Sequence, residues 1–167
     1  MLEHYRLDPT ARTISFYATQ ENVAVSERMI SQLLGVSIEH ENANERACLH
    51  CDAGDVFHQM LILEWMGNSF PAHRHPAKSE GYHLMHGRMD VILYNEDGSE
   101  RERFEMNVEN PIARVGPQTF HALEIRSPYA IYLESKPGPF LRDTDKIMAP
   151  WLTASPSPDA ESAPSAR

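Results

Sequence analysis

The chain lacks any uninterrupted apolar run approaching the roughly 20 residues of a membrane-spanning helix. Its opening segment alternates polar and apolar groups, without a basic stretch followed by an apolar core. A cytoplasmic protein with no membrane partner is the expectation. Clusters of lysine and arginine are also missing, and the formal net charge is −9. The electrostatic footprint that holds a phosphate backbone is therefore absent, which argues against nucleic acid. Cysteine is scarce, with only Cys48 and Cys51. Their C-x-x-C spacing invites a redox or zinc reading, but on a strand positions three apart face opposite sides, and no second pair completes a four-thiolate site. Two free thiols are the simpler reading. Internal repeats are not visible.

What is present is ordinary for a globular domain: 41% hydrophobic and 23% charged residues in 167. A chain of that length builds one core without disulfides. Residues 25–152 form the expected domain, preceded by a segment, 1–24, in which TISFYA could add an edge strand. From residue 153 the chain reads TASPSPDAESAPSAR, with almost no large apolar side chain, and disorder is expected there.

Ser26 can cap a short helix whose apolar positions are Met29, Ile30, Leu33 and Leu34, with Gly35 available to end it. After the polar run EHENANER the pattern changes to period two. Strands are expected near 46–51, 56–66, 70–75, 80–86, 88–95, 100–106, 111–115, 119–126 and 129–135, separated by turn sequences such as NEDG. Many short, evenly spaced strands imply a sandwich or barrel. Met60, Ile62, Trp65, Leu84, Val91, Leu93, Leu123, Ile131 and Leu133 are its expected filling.

The stretch PAHRHPAKSEGYHLMHG concentrates four of nine histidines around one glutamate. His73 and His75 are two apart, so on a strand both imidazoles face one side. Glu80 can return to the same cavity, and His121, after the turn VGPQTF, is the natural fourth ligand. Such a donor set suits a divalent transition metal (Fe, Zn, Mn or Ni), with two positions open if the ion takes six ligands. A lone HxH arises easily by chance in a histidine-rich chain. The wider frame is more specific: Gly67, five residues, His73-x-His75, four residues, Glu80, six residues, Gly87.

That frame resembles the first motif of the cupin superfamily, Gx5HxHx3-4Ex6G, and VGPQTFHALEI resembles the second. The second departs from the usual P-x-G-x-x-H: Gly116 stands at the proline place, Gln118 at the glycine place, the proline moves to Pro117, and Ile125 replaces a late asparagine. The resemblance implies an all-β fold, a double-stranded β-helix or jelly-roll barrel with one short N-terminal helix, and His73, His75, Glu80 and His121 as metal ligands. A narrower likeness, to the WbuC family of cupin-fold metalloproteins, runs from ERACLHCDAGDVFHQMLI through HRHPAKSEGYHLMHGRMDVILYNEDG to ESKPGPF and APW. That family accompanies polysaccharide and O-antigen biosynthesis genes, which implies a small polar substrate such as a sugar or nucleotide sugar and an isomerase- or epimerase-like reaction. An Fe(II) dioxygenase and a tyrosine-assisted lyase are the enzymatic alternatives, and a non-catalytic binding protein with a structural metal is the competing class.

Around the ligands, Tyr82 lies two residues beyond Glu80 and could move a proton, although a buried tyrosine with a satisfied hydroxyl is an equal reading. Lys78 could meet an anionic substrate, against the alternative of a solvated loop lysine. Gln59 could donate to a ligand or substrate, or simply line the cavity. His83 and His86 read as surface and turn residues. Unpaired strand edges would suit a homodimer.

Overall fold

The computed structural model describes residues 2–11 and 13–152; the expected disordered tail lies outside them. Two short strands, β1 (Tyr5–Leu7) and β2 (Ile14–Ala18), precede helix α1 (Glu27–Glu39). Ten further strands follow: β3 (Glu45–Cys48), β4 (Phe57–Trp65), β5 (His73–Arg74), β6 (Glu80–His86), β7 (Met89–Tyr94), β8 (Glu100–Met106), β9 (Ile112–Val115), β10 (Phe120–Ile125), β11 (Tyr129–Pro137) and β12 (Ile147–Met148). They form a seven-stranded sheet, β1-β2-β3-β4-β11-β6-β9, and a five-stranded sheet, β12-β5-β10-β7-β8. The fold is the jelly roll expected from the strand pattern and the cupin-like motifs.

Alternation along β4 explains how one strand serves two cores. Met60 and Ile62 point into the barrel beside Leu84, Val91, Leu93 and Tyr132, whereas Leu61 and Leu63 point outward beneath Met29 and Leu33 of α1. Because both faces are covered, β4 reads as a nearly continuous apolar run. The opening segment supplies β1 and β2, with β2 parallel to β3 and β1 antiparallel to β2.

Helix α1 begins as its sequence dictates: Ser26 is extended, and its side-chain oxygen accepts from the Met29 backbone N–H. Its end differs from the expectation. Gly35 does not stop it, and the helix continues to Glu39 because the next turn gains tertiary contacts. Ser37 is buried, its hydroxyl accepting from Trp65 Nε1 at 2.7 Å and donating to the Ala43 carbonyl at 2.7 Å. Glu41 and Asn42 then reverse the chain in the left-handed region, at φ of 57° and 62°. Glu45, read as part of a linker, is fully buried at the start of β3, 3.1 Å from His40 Nδ1.

Candidate metal centre

The site spans the two sheets. In the five-stranded sheet, the register of β5 with β10 sets His73 directly opposite His121, with ring centroids 4.8 Å apart. Glu80 opens β6 in the seven-stranded sheet, and His75 lies in the connection between the sheets. One donor atom from each of the four residues lies within 4.8 Å of all the others. His75, Glu80 and His121 are buried, and His73 is half-buried.

Two glycine-type positions shape the surroundings. Gly87, which closes the first motif, has φ of 87°, and a Cβ there would sit 2.4 Å from the Tyr129 carbonyl oxygen; both facts require glycine. Gln118 occupies the glycine place of the second motif and adopts that conformation, at φ of 60°. Its backbone N–H donates to the His75 carbonyl at 2.8 Å and its side-chain amide to the Pro76 carbonyl at 2.7 Å. The altered second motif therefore keeps its turn and ties the strand bearing His121 to His75.

The protons of all three imidazoles are accounted for by backbone carbonyls. His73 Nδ1 donates to Pro71 O at 2.9 Å, His121 Nδ1 to Thr119 O at 2.9 Å, and His75 Nδ1 to Asp145 O at 2.5 Å. A carbonyl only accepts, so each neutral ring carries its proton on Nδ1 and turns the Nε2 lone pair inward. There the lone pairs meet a carboxylate: Nε2 of His75 and of His121 each lie 2.9 Å from a Glu80 oxygen. The His75 nitrogen lies out of line for a hydrogen bond and is buried without a partner. Converging electron pairs are satisfied by a cation, and three imidazoles with one carboxylate are a donor set that a divalent transition metal accepts.

Without a metal, a proton on His121 Nε2 takes the place of the cation. Burial works against ionisation of Glu80, but the imidazoles of His121 and His75 and the Lys136 ammonium outweigh it and hold the carboxyl well below its ordinary range. Burial likewise opposes charge on His121, and the Glu80 carboxylate overcomes it, raising that imidazole. His73 is pushed down to about 4, chiefly by burial, and stays neutral.

The remaining expected residues are not all brought to the centre. Tyr82 is: its hydroxyl donates to Glu80 Oε2 at 2.8 Å and lies 3.3 Å from His121 Nε2. Lys78 is instead engaged by the buried Asp145 carboxylate and by Pro139 O at 2.5 Å. Gln59 alternates with Met60 and so faces away from the barrel interior, donating to Ser135 Oγ at 3.3 Å. His83 and His86 are exposed, and Cys48 and Cys51 are free thiols. Burial raises the Cys48 thiol to about 11, well away from a reactive thiolate.

Three contributors were not legible in the sequence. Asp145 holds His75 through its carbonyl. Lys136 Nζ lies 3.1 Å from Glu80 Oε1 and 2.9 Å from Glu134 Oε1. Lys136 and Glu134 alternate along β11 on the barrel side, a period-two signal that could have flagged them; Asp145, in an irregular segment, offered none.

A family model described as a domain of unknown function, DUF6016, matches residues 25–106. No curated protein sequence matches the chain. Among solved structures, the capsular polysaccharide assembling protein CapF from Staphylococcus aureus is similar with a TM-score of 0.53 at 11% identity, over 64% of this chain and 31% of that one. The Lactobacillus farciminis oxalate decarboxylase formate complex gives 0.47 at 19% identity, over 61% of this chain and 29% of the other. The chain thus spans about a third of the length of these structures. The CapF likeness shows the fold, a double-stranded β-helix or jelly-roll barrel.

Proposed function

We propose that this chain is a mononuclear metalloprotein of the cupin type, with His73, His75, Glu80 and His121 holding one divalent transition metal, and that it acts as an enzyme on a small polar substrate. The observation that carries the proposal is the gathering of three imidazoles, each fixed by a backbone carbonyl through Nδ1, around a buried carboxylate that lies 2.9 Å from Nε2 of His75 and of His121. A bound metal of this class supplies Lewis-acid polarisation of a carbonyl or hydroxyl group.

The chain's own residues supply proton handling and exclusion of water. Tyr82 is buried with its hydroxyl on Glu80 Oε2, and burial together with the Glu80 charge holds its proton firmly, well above the ordinary tyrosine range. It therefore stays protonated, donating a hydrogen bond to an oxygen that develops negative charge, and does not act as a base. His73, the one half-buried ligand, marks the side from which a substrate approaches. The motif likeness to the WbuC family and the fold likeness to a capsular polysaccharide assembling protein favour a sugar-type substrate and an isomerase- or epimerase-like reaction.

Metal content of untagged protein purified anaerobically, beside a His121→Ala variant, tests the centre. Near one equivalent of a single transition metal, greatly weakened in the variant, is expected; no metal in either sample after reconstitution refutes the reading. Tyr82→Phe should then abolish turnover while metal content is retained, and unchanged turnover would remove Tyr82 from the mechanism. A structural metal is the second reading, favoured by the near-complete burial of three ligands. It predicts that chelation unfolds the domain.

A further inference from the structure

The chain contains three lysines against twelve arginines, and all three lysines gather at the metal end of the barrel. Lys136 touches Glu80 and Glu134. Lys78 is paired with Asp145, whose carbonyl holds His75, and Lys146 lies close enough to His73 to disfavour a charge there. A protein of net charge −9 repels small anions in general. Set against Asp145, Glu80 and Glu134, these three cations cancel the negative charge of the groups named at that end, so the binding of a divalent ion makes it positive.

Strand register extends this feature into a row. Ser135 pairs with Gly81, which sets Lys136 beside Glu80, and Lys136 pairs in turn with His58 of β4. His58 stacks on His50 with ring centroids 4.0 Å apart and planes 12° from parallel. Glu80, Lys136, His58 and His50 thus cross the barrel wall side by side. Burial lowers both histidines, His50 to about 4, so they are polar but neutral at physiological pH. Lys136 is the cation of the row. Its side chain is 13% exposed, and Glu80 and Glu134 take up two of its three ammonium donors.

The charges in direct contact can be summed. A divalent ion and Lys136 contribute three positive charges, and Glu80 and Glu134 two negative ones, leaving one positive charge in a mostly buried site. A single negative charge neutralises it; a dianion overshoots, and a neutral ligand leaves the excess unmet.

We propose that the metal centre accepts a small hydroxy-carboxylate bearing one negative charge, with Lys136 beside Glu80 as its counter-ion. The inference rests on the metal reading above and names its substrate class. Carboxylate and neighbouring hydroxyl together fill the two positions that four protein ligands leave on a six-coordinate ion. Sugar acids belong to this class. Lys136 takes the role that the sequence suggested for Lys78, which is already committed to Asp145 and Pro139.

Full-length protein loaded with Mn(II), verified by metal analysis, would be titrated calorimetrically with glycolate, with the neutral isostere glycolamide, and with inorganic phosphate. Glycolate should bind at least about tenfold more tightly than glycolamide, with phosphate weaker than glycolate. Lys136→Gln should reduce the glycolate preference to about twofold while keeping its metal. Glu134→Gln, which adds one net positive charge, should shift the preference toward phosphate and provides an independent test if Lys136→Gln does not fold. Equal binding of glycolate and glycolamide by fully loaded protein overturns the inference and leaves the metal centre standing, as does an unchanged preference in both variants. Failure to load any metal refutes both readings.

Discussion

Asp145→Ala should loosen a metal ligand it never coordinates. The Asp145 backbone oxygen accepts from His75 Nδ1 at 2.5 Å, and its carboxylate is held by Lys78, which also grips the Pro139 carbonyl. Removing the carboxylate leaves the carbonyl in the chain but releases the clamp that aims it. Partners that orient a metal-bound imidazole are typically worth about 10- to 100-fold in affinity, or roughly 1.4–2.7 kcal/mol. A separate cost falls on folding. Breaking a fully buried ion pair costs about 3–5 kcal/mol, and because the Lys78 side chain keeps 16% exposure, about 1–3 kcal/mol is the appropriate scale. The assay is competition against a chelator of known affinity, with urea unfolding of the metal-free protein run in parallel. Asp145→Asn, which can still accept from Lys78, should fall between parent and alanine variant. Metal affinity of the alanine variant within about twofold of the parent would show that the segment around Asp145 does not position His75.

Two further outcomes follow from the buried ionisable groups. In the metal-free protein the His121 imidazole is raised above 6.5 by Glu80, so proton and metal compete for Nε2. Metal uptake below that raised value should release about one proton and weaken about tenfold per pH unit; calorimetry in buffers of different ionisation enthalpy measures the release, and pH-independent affinity would refute it. Conversely, Glu64 is fully buried and pushed up to about 7, chiefly by burial, although Tyr132 donates to it at 2.8 Å. Its protonated form is favoured on folding, so its contribution is complete below pH 4.5 and lost as pH rises through about 7, a loss of about 3 kcal/mol. Glu64→Gln should flatten that slope in pH-dependent urea unfolding, and an unchanged slope would place the titration elsewhere.

The sequence alone determined whatever depends on local periodicity and short spacing. Period-two alternation between turn sequences, and for β4 a continuous apolar run, located the strands from β3 to β11 to within a few residues, because a buried face imposes such a pattern wherever it occurs. The i, i+2 spacing of His73 and His75, the frame of Gly67, Glu80 and Gly87, and the E-x-Y spacing of Tyr82 placed the core of the candidate centre. What only the tertiary structure decided depends on contacts distant in sequence. Helix α1 passes Gly35 because Trp65 reaches Ser37 from 28 residues away. Gln118 replaces a glycine because His75 and Pro76 hold it in the left-handed region. Gln59 faces outward because β4 is buried on both faces, which hides the alternation that would have told its inner side from its outer one. Lys78 is diverted to Asp145, and Lys136 is brought to Glu80, by pairings that span 67 and 56 residues. Such contacts are formed by strand register and chain closure, and neither leaves a periodic trace in the sequence.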